Sequence, residues 1–142
     1  METETTAEDI SIVMKIHSIQ EDKQYVFGWA YQCEDVYGKH VLDHSGQYIE
    51  PLELEEAVYM FVRNGGMASE MHTSMYAGSV IESVVFTKEK QEAMGIPAGM
   101  VPVGWWVGIY VYHPEVFEKV KNGTYKMLSL AGKAVKEETD EY

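Results

Sequence analysis

Nine consecutive residues, Gly104-Trp105-Trp106-Val107-Gly108-Ile109-Tyr110-Val111-Tyr112, limit the architecture more than any other stretch of the chain. They are aromatic, β-branched or glycine throughout, so as a strand they need cover on both sides and are expected to lie centrally in a sheet. A central strand requires a partner on each edge. Ile10, Ile12, Met14 and Ile16 alternate with Ser11, Lys15 and His17, broken only by Val13, and read as a strand with one covered face. Beyond a turn at Glu21-Asp22-Lys23, Tyr25-Val26-Phe27-Gly28-Trp29-Ala30-Tyr31 reads as a second strand, and the two are expected to pair as a hairpin. Gly28 within that run points to a bulge or a close backbone approach. Further strands are expected from Val80 to Phe86 and from about Tyr125 to Val135.

Helical spacing appears between these runs. Pro51 suits a first helical turn, and Leu54, Ala57, Val58, Phe61 and Val62 follow on one face until Gly65-Gly66 stops them. Thr87 is placed to cap a short helix running through Met94. Pro114 opens another, with Val116, Phe117 and Val120 inward and Asn122-Gly123 as its stop. Strands outnumber helices and the helices connect them. The expected fold is therefore α+β and mainly β: a small barrel or strongly curved, mostly antiparallel sheet with two or three peripheral helices. At 142 residues the chain suits one core. Residues 1–9 and 137–142 are acidic and poor in apolar side chains, and are expected as a flexible arm and a tail around a single domain over residues 10–136.

Charge narrows the partners. Eleven basic against 23 acidic side chains leave a net charge of -12, which repels nucleic-acid phosphates and anionic membrane surfaces while leaving a basic polypeptide acceptable. A single cysteine, Cys33, allows no internal disulfide and lacks a basic neighbour to activate it, so it reads as structural in a reducing compartment. No apolar run is long enough to span a membrane, and Met1 to Thr6 lacks the regions of a signal peptide. An intracellular location is expected.

Three residues stand out as a hydrolase set. His72 follows Glu70-Met71, Glu82 lies between apolar residues in the Val80–Phe86 pattern, and Ser129 sits in the last strand. Strict alternation puts Val80, Glu82 and Val84 on one face, so Glu82 is either a solvated edge residue or a partly covered carboxylate that orients a histidine. His40-x-x-Asp43-His44 offers ligand types suited to zinc or manganese, but at no recognised metal spacing. No metal or cofactor is expected. Trp105-Trp106 reads as core rather than a stacking platform.

The order of motifs carries a resemblance. Phe27-Gly28-Trp29-Ala30, Val41-Leu42-Asp43 with Gly46 and Ile49, a Leu-Glu-x-Ala helix, Glu70-Met71-His72 and Val80-Ile81-Glu82-Ser83 come first. They are followed by Gly104-Trp105-Trp106-Val107-Gly108, His113-Pro114-Glu115-Val116-Phe117, Val120-Lys121-Asn122-Gly123, and Ser129 before Gly132. From about Ile12 to Val135 this succession resembles the phage XkdF-like serine proteases. Where family members commonly carry a Phe-Ser-Ile-Gly-Gly-like segment, this chain reads Leu128-Ser129-Leu130-Ala131-Gly132.

The resemblance implies a prohead, or capsid maturation, protease with an assemblin-like barrel. Its substrate would be capsid scaffold or major capsid protein, in the host cytoplasm within an assembling procapsid, and it leaves room for a homo-oligomer. It implies Ser129 as nucleophile and His72 as the base that takes its proton. A third group would orient the imidazole: Glu82 is the choice, with Asp43, His44 and His113 as alternatives, and Gly132 or Lys133 could serve the oxyanion. The rival reading is a non-catalytic module of the same fold that binds capsid or portal components.

Overall fold

The computed structural model describes the backbone of residues 4–42, 46, 48–69 and 76–138, with side chains described only where these fall between residues 12 and 130. Its strands are β1 (Glu4–Gln20), β2 (Tyr25–Glu34), β3 (Met67–Ser69), β4 (Tyr76–Val85), β5 (Val103–Val111) and β6 (Met127–Glu138). They form a closed barrel in the order β1-β2-β5-β4-β3-β6, and every pairing is antiparallel. Among the described residues three α-helices, α1 (Pro51–Arg63), α2 (Lys88–Ala93) and α3 (Pro114–Lys121), lie in the connections. The expected mainly-β architecture is the one observed.

β5 takes the central place its composition demands, hydrogen-bonded to β2 on one edge and β4 on the other. Val103, Trp105, Val107, Ile109 and Val111 enter the core, each no more than 4% exposed. Trp105 finds a partner for its indole there, donating from Nε1 to Ser83 Oγ at 2.9 Å, while Phe61 of α1 meets its ring edge to face at 5.5 Å. Leu54, Val58 and Phe61 thus fill the core from the helix that packs across β6 and β4. The next helix starts as read, with Thr87 Oγ1 accepting from Lys90 N–H at 3.2 Å.

Three differences from the sequence reading have physical causes. β1 pairs with β6 from Glu4↔Glu138 to Lys15↔Met127, so residues 4–9 and 137–138, expected in the arm and the tail, belong to a ladder. Backbone pairing needs no apolar side chain, whereas alternation reports only burial. β3 was not anticipated, because three residues are too few to show a period of two. The third difference lies in β4. Its register with β5 shifts between Val80, opposite Ile109, and Glu82, opposite Gly108, which makes Ile81 a bulge. Ile109 faces the core and Gly108 the outside, so Val80 and Glu82 fall on opposite faces and the valine-flanked acid is no buried carboxylate.

Gly28 is the close approach expected of it. A Cβ there would lie 1.8 Å from the Lys15 carbonyl oxygen, at the place where β1 bulges between Ile16 and Ser18. Gly28→Ala should therefore cost at least the roughly 1–3 kcal/mol typical of overpacking, because backbone rather than a flexible side chain must move. Urea unfolding of that variant at the parental midpoint would contradict this account of the β1–β2 contact.

A polar clamp joins α1 to α2. Lys90 Nζ contacts Glu55 Oε2 at 2.7 Å and donates to Tyr59 Oη at 3.1 Å and to the Val85 carbonyl at 3.0 Å. The bond from Lys90, aided by Tyr59, lowers the Glu55 pKa against its burial. Burial is the largest single influence on Lys90 and would lower its pKa, but the combined pull of Glu55 and Tyr59 holds it raised. A depressed carboxyl stabilises the fold above its unfolded value, about 4.3, and loses that contribution as pH falls through the folded value. Glu55→Gln should thus cost about 0.5–1 kcal/mol at neutral pH and progressively less in acid, read from melting curves across that range. A penalty independent of pH would show that the charge is not what matters.

Candidate active site

Ser129 lies in β6 between Leu128 and Leu130, each 1% exposed and turned into the barrel. Alternation therefore points Ser129 outward, where it is half-buried. It stands opposite Val13 across the β1 ladder and opposite Ser69 across the β3 ladder. Ser69 shares the outer face, since Ala68 beside it is 1% exposed and faces the core. The same row continues into β4, where Ser69 pairs with Tyr76. Around it lie Met127, Met67 and Tyr112, whose hydroxyl contacts Met67 Sδ at 3.8 Å.

The register separates the expected residues. His72 belongs to segment 70–75, outside the described residues. Ser69 is the last described residue before it. Glu82 is six residues along β4 from Tyr76, about 20 Å away at the rise of a strand. Its exposed carboxylate accepts from Trp106 Nε1 at 3.0 Å. Gly108 leaves the space for this, because a Cβ there would meet Glu82 Cγ at 2.8 Å and Phe27 Cδ1 at 2.9 Å. The structure therefore brings Ser129 and Ser69 together and sets Glu82 apart from both.

The other titratable candidates are scattered. His113 begins α3 just past β5, half-exposed, with Nδ1 4.0 Å from Glu115 Oε1, and the adjoining Tyr112 N–H donates to Ala77 at 2.8 Å. That bond places His113 beyond the same end of β4 that Tyr76 occupies. His40 stacks on Tyr48 at 4.1 Å, and among the described residues no three His, Cys, Asp or Glu side chains gather as metal ligands. Asp43 and His44 lie outside the described residues, as do the side chains of Lys133 and Ala131. Burial, then Glu34 and Glu50, push the Cys33 thiol up to about 12, so it stays protonated and is no nucleophile.

A strand serine displayed on an outer sheet face can meet an extended polypeptide without any cavity. The family model described as "Putative phage serine protease XkdF" matches residues 9–138. The chain belongs to that family. The match runs from β1 to the end of β6, so Ser129, Ser69 and segment 70–75 all lie within it. No curated protein and no solved structure matches the chain. Among the described residues no helix is long and apolar enough to cross a membrane. The sequence of this XkdF-family chain did not single out Ser69 as a neighbour of Ser129. Its only signal is a small polar residue three positions before His72, in a strand too short to be recognised.

Glu82→Gln keeps an oxygen acceptor for Trp106 and removes an exposed charge far along β4 from Ser129. Its unfolding free energy should stay within about 0.5 kcal/mol of the parent, and if Ser129 is labelled by a fluorophosphonate, the labelling should proceed at the parental rate. A tenfold or greater slowing, about 1.4 kcal/mol, would instead support the catalytic role expected of Glu82.

Proposed function

We propose that the chain is a phage serine endopeptidase of head assembly that cleaves scaffold or capsid-protein segments. Ser129 is its nucleophile and His72 its base. One observation carries this reading: Ser129 faces outward directly opposite Ser69, the strand residue from which the chain reaches His72 in three steps. Three peptide units span at most about 11 Å, a reach that permits the imidazole to meet the hydroxyl.

In this mechanism Ser129 Oγ attacks the scissile carbonyl while its proton passes to the neutral imidazole of His72. The imidazolium then protonates the departing amine, and water releases the acyl group by the reverse roles. Met127, Met67, Val13 and Tyr112 give the row an apolar surround that an extended substrate would cover. A host-cytoplasmic procapsid, with several copies acting together, is the setting this reading implies.

A second reading, a non-catalytic assembly module, draws on the opposite side of the barrel. Tyr25, Phe27, Trp29, Trp106 and Tyr110 line the outer face of β2 and β5, and ring contacts link Trp29 to Trp106 at 5.3 Å and Tyr25 to Tyr110 at 6.2 Å. Partly exposed aromatic surface of this kind suits binding to other proteins. Treatment of the full chain with a fluorophosphonate separates the two. The protease reading expects modification at Ser129, abolished in Ser129→Ala and slowed at least about a thousandfold in His72→Ala. A folded chain left unmodified between pH 6 and 9, and unable to cleave scaffold protein, would favour the assembly module.

A further inference from the structure

We infer that Ser69 is a catalytic residue that donates its hydroxyl to the oxyanion formed at Ser129, an assignment that rests on Ser129 being the nucleophile.

The need for such a donor follows from where Ser129 sits. As its Oγ bonds to the carbonyl carbon, the carbonyl π electrons move to oxygen and the serine proton leaves for His72, so negative charge appears one bond beyond Oγ. That charge requires hydrogen-bond donors at about 2.7–3.1 Å. Serine nucleophiles on sharp turns obtain them from free backbone N–H groups. Ser129 has no such supply. At residues 129 and 130, β6 is paired on both edges, with Val13 and Ile12 of β1 on one side and Ser69 and Ala68 of β3 on the other. Their backbone N–H groups are committed to the two ladders. Among the described groups beside Ser129, the donor is therefore a side chain.

Few side chains qualify. The described outer-face neighbours of Ser129 on its own and the adjacent strands are Val13 and Ser69 directly across, with Met127 two residues along β6, and Met67 and Lys15 on the diagonals; Tyr76 stands a strand farther, opposite Ser69, and the Tyr112 hydroxyl is engaged with Met67 Sδ. Val13 has no donor and neither methionine has one. Lys15 does, and its long side chain can reach across a diagonal of about 7–8 Å, but it is opposite Met127 rather than Ser129. Directly opposed residues have Cβ atoms about 4.5–5.5 Å apart, which suits two short hydroxyl side chains that meet around one added atom. Ser69 also has few rotamers to lose, and no side chain among the described residues engages its hydroxyl.

The test uses the full chain and the rate at which a fluorophosphonate modifies Ser129, because the phosphoryl oxygen of the adduct takes the oxyanion position. Ser69→Ala should slow modification by about 10²–10³-fold, the usual effect of losing one such donor, with an unchanged melting temperature. Ser69→Thr, which keeps the hydroxyl, should recover most of the rate, and Lys15→Met should match the parent. Parental modification of Ser129 in Ser69→Ala would overturn the inference while leaving Ser129 as nucleophile. So would equal losses in the alanine and threonine variants, or a loss in Lys15→Met instead. Modification of Ser69 in place of Ser129, or of neither in the parent, would remove the nucleophile assignment and this inference with it.

Discussion

Closure of the barrel rests on three residues. Among the described residues β3, Met67–Ser69, is the only bridge between β6 and β4, pairing through Ala68 and Ser69 on one edge and along Met67 to Ser69 on the other. Without it both neighbours would present an open edge of unpaired backbone groups. The bridge is too short to cover the strands it joins, so α1 is needed beside it. Leu54, Val58 and Phe61 supply the apolar cover that longer strands would otherwise provide. The same shortness sets the site, since the two β3 residues that reach β6 stand opposite Leu130 and Ser129.

Elsewhere the barrel is shaped by irregularities at places where side chains would not fit. β1 bulges against Gly28, β4 bulges at Ile81, and β2 shifts register twice against β5. Each bulge increases local twist, which a six-stranded sheet needs in order to close on itself. They also redistribute side chains between faces. The bulge at Ile81 sends Val80 inward and Glu82 outward to Trp106, and Gly108, lacking a Cβ, lets Glu82 and Phe27 close over the strand.

A reactive serine on a strand lives under different constraints from one on a turn. The sheet holds its Cα rigidly and presents the hydroxyl to an extended substrate, but consumes the backbone donors beside it. Catalysis in such a place has to recruit side chains from adjacent strands. On the proposed reading those side chains come from the row across β1, β6, β3 and β4, which is assembled from residues as far apart as Val13, Ser69 and Ser129.

The sequence by itself determined the elements whose periodicity is long and whose burial is strong. The apolar run of β5, the Leu54-Val58-Phe61 face of α1 and the Val116-Phe117-Val120 face of α3 are legible because each repeats the requirement for cover several times. Gly28 was legible too, as a glycine amid bulky residues in a strand. Family membership followed from the order of short motifs, and the match over residues 9–138 shows it. Tertiary structure alone decided the faces of β4, the extension of β1 and β6, and the meeting of Ser69 with Ser129. A single bulged residue reverses every side chain beyond it, and no local pattern records it. Backbone ladders at the ends of β1 and β6 are indifferent to the polar residues that carry them. Which strand lies beside which is fixed by closing the sheet, a condition on the whole chain.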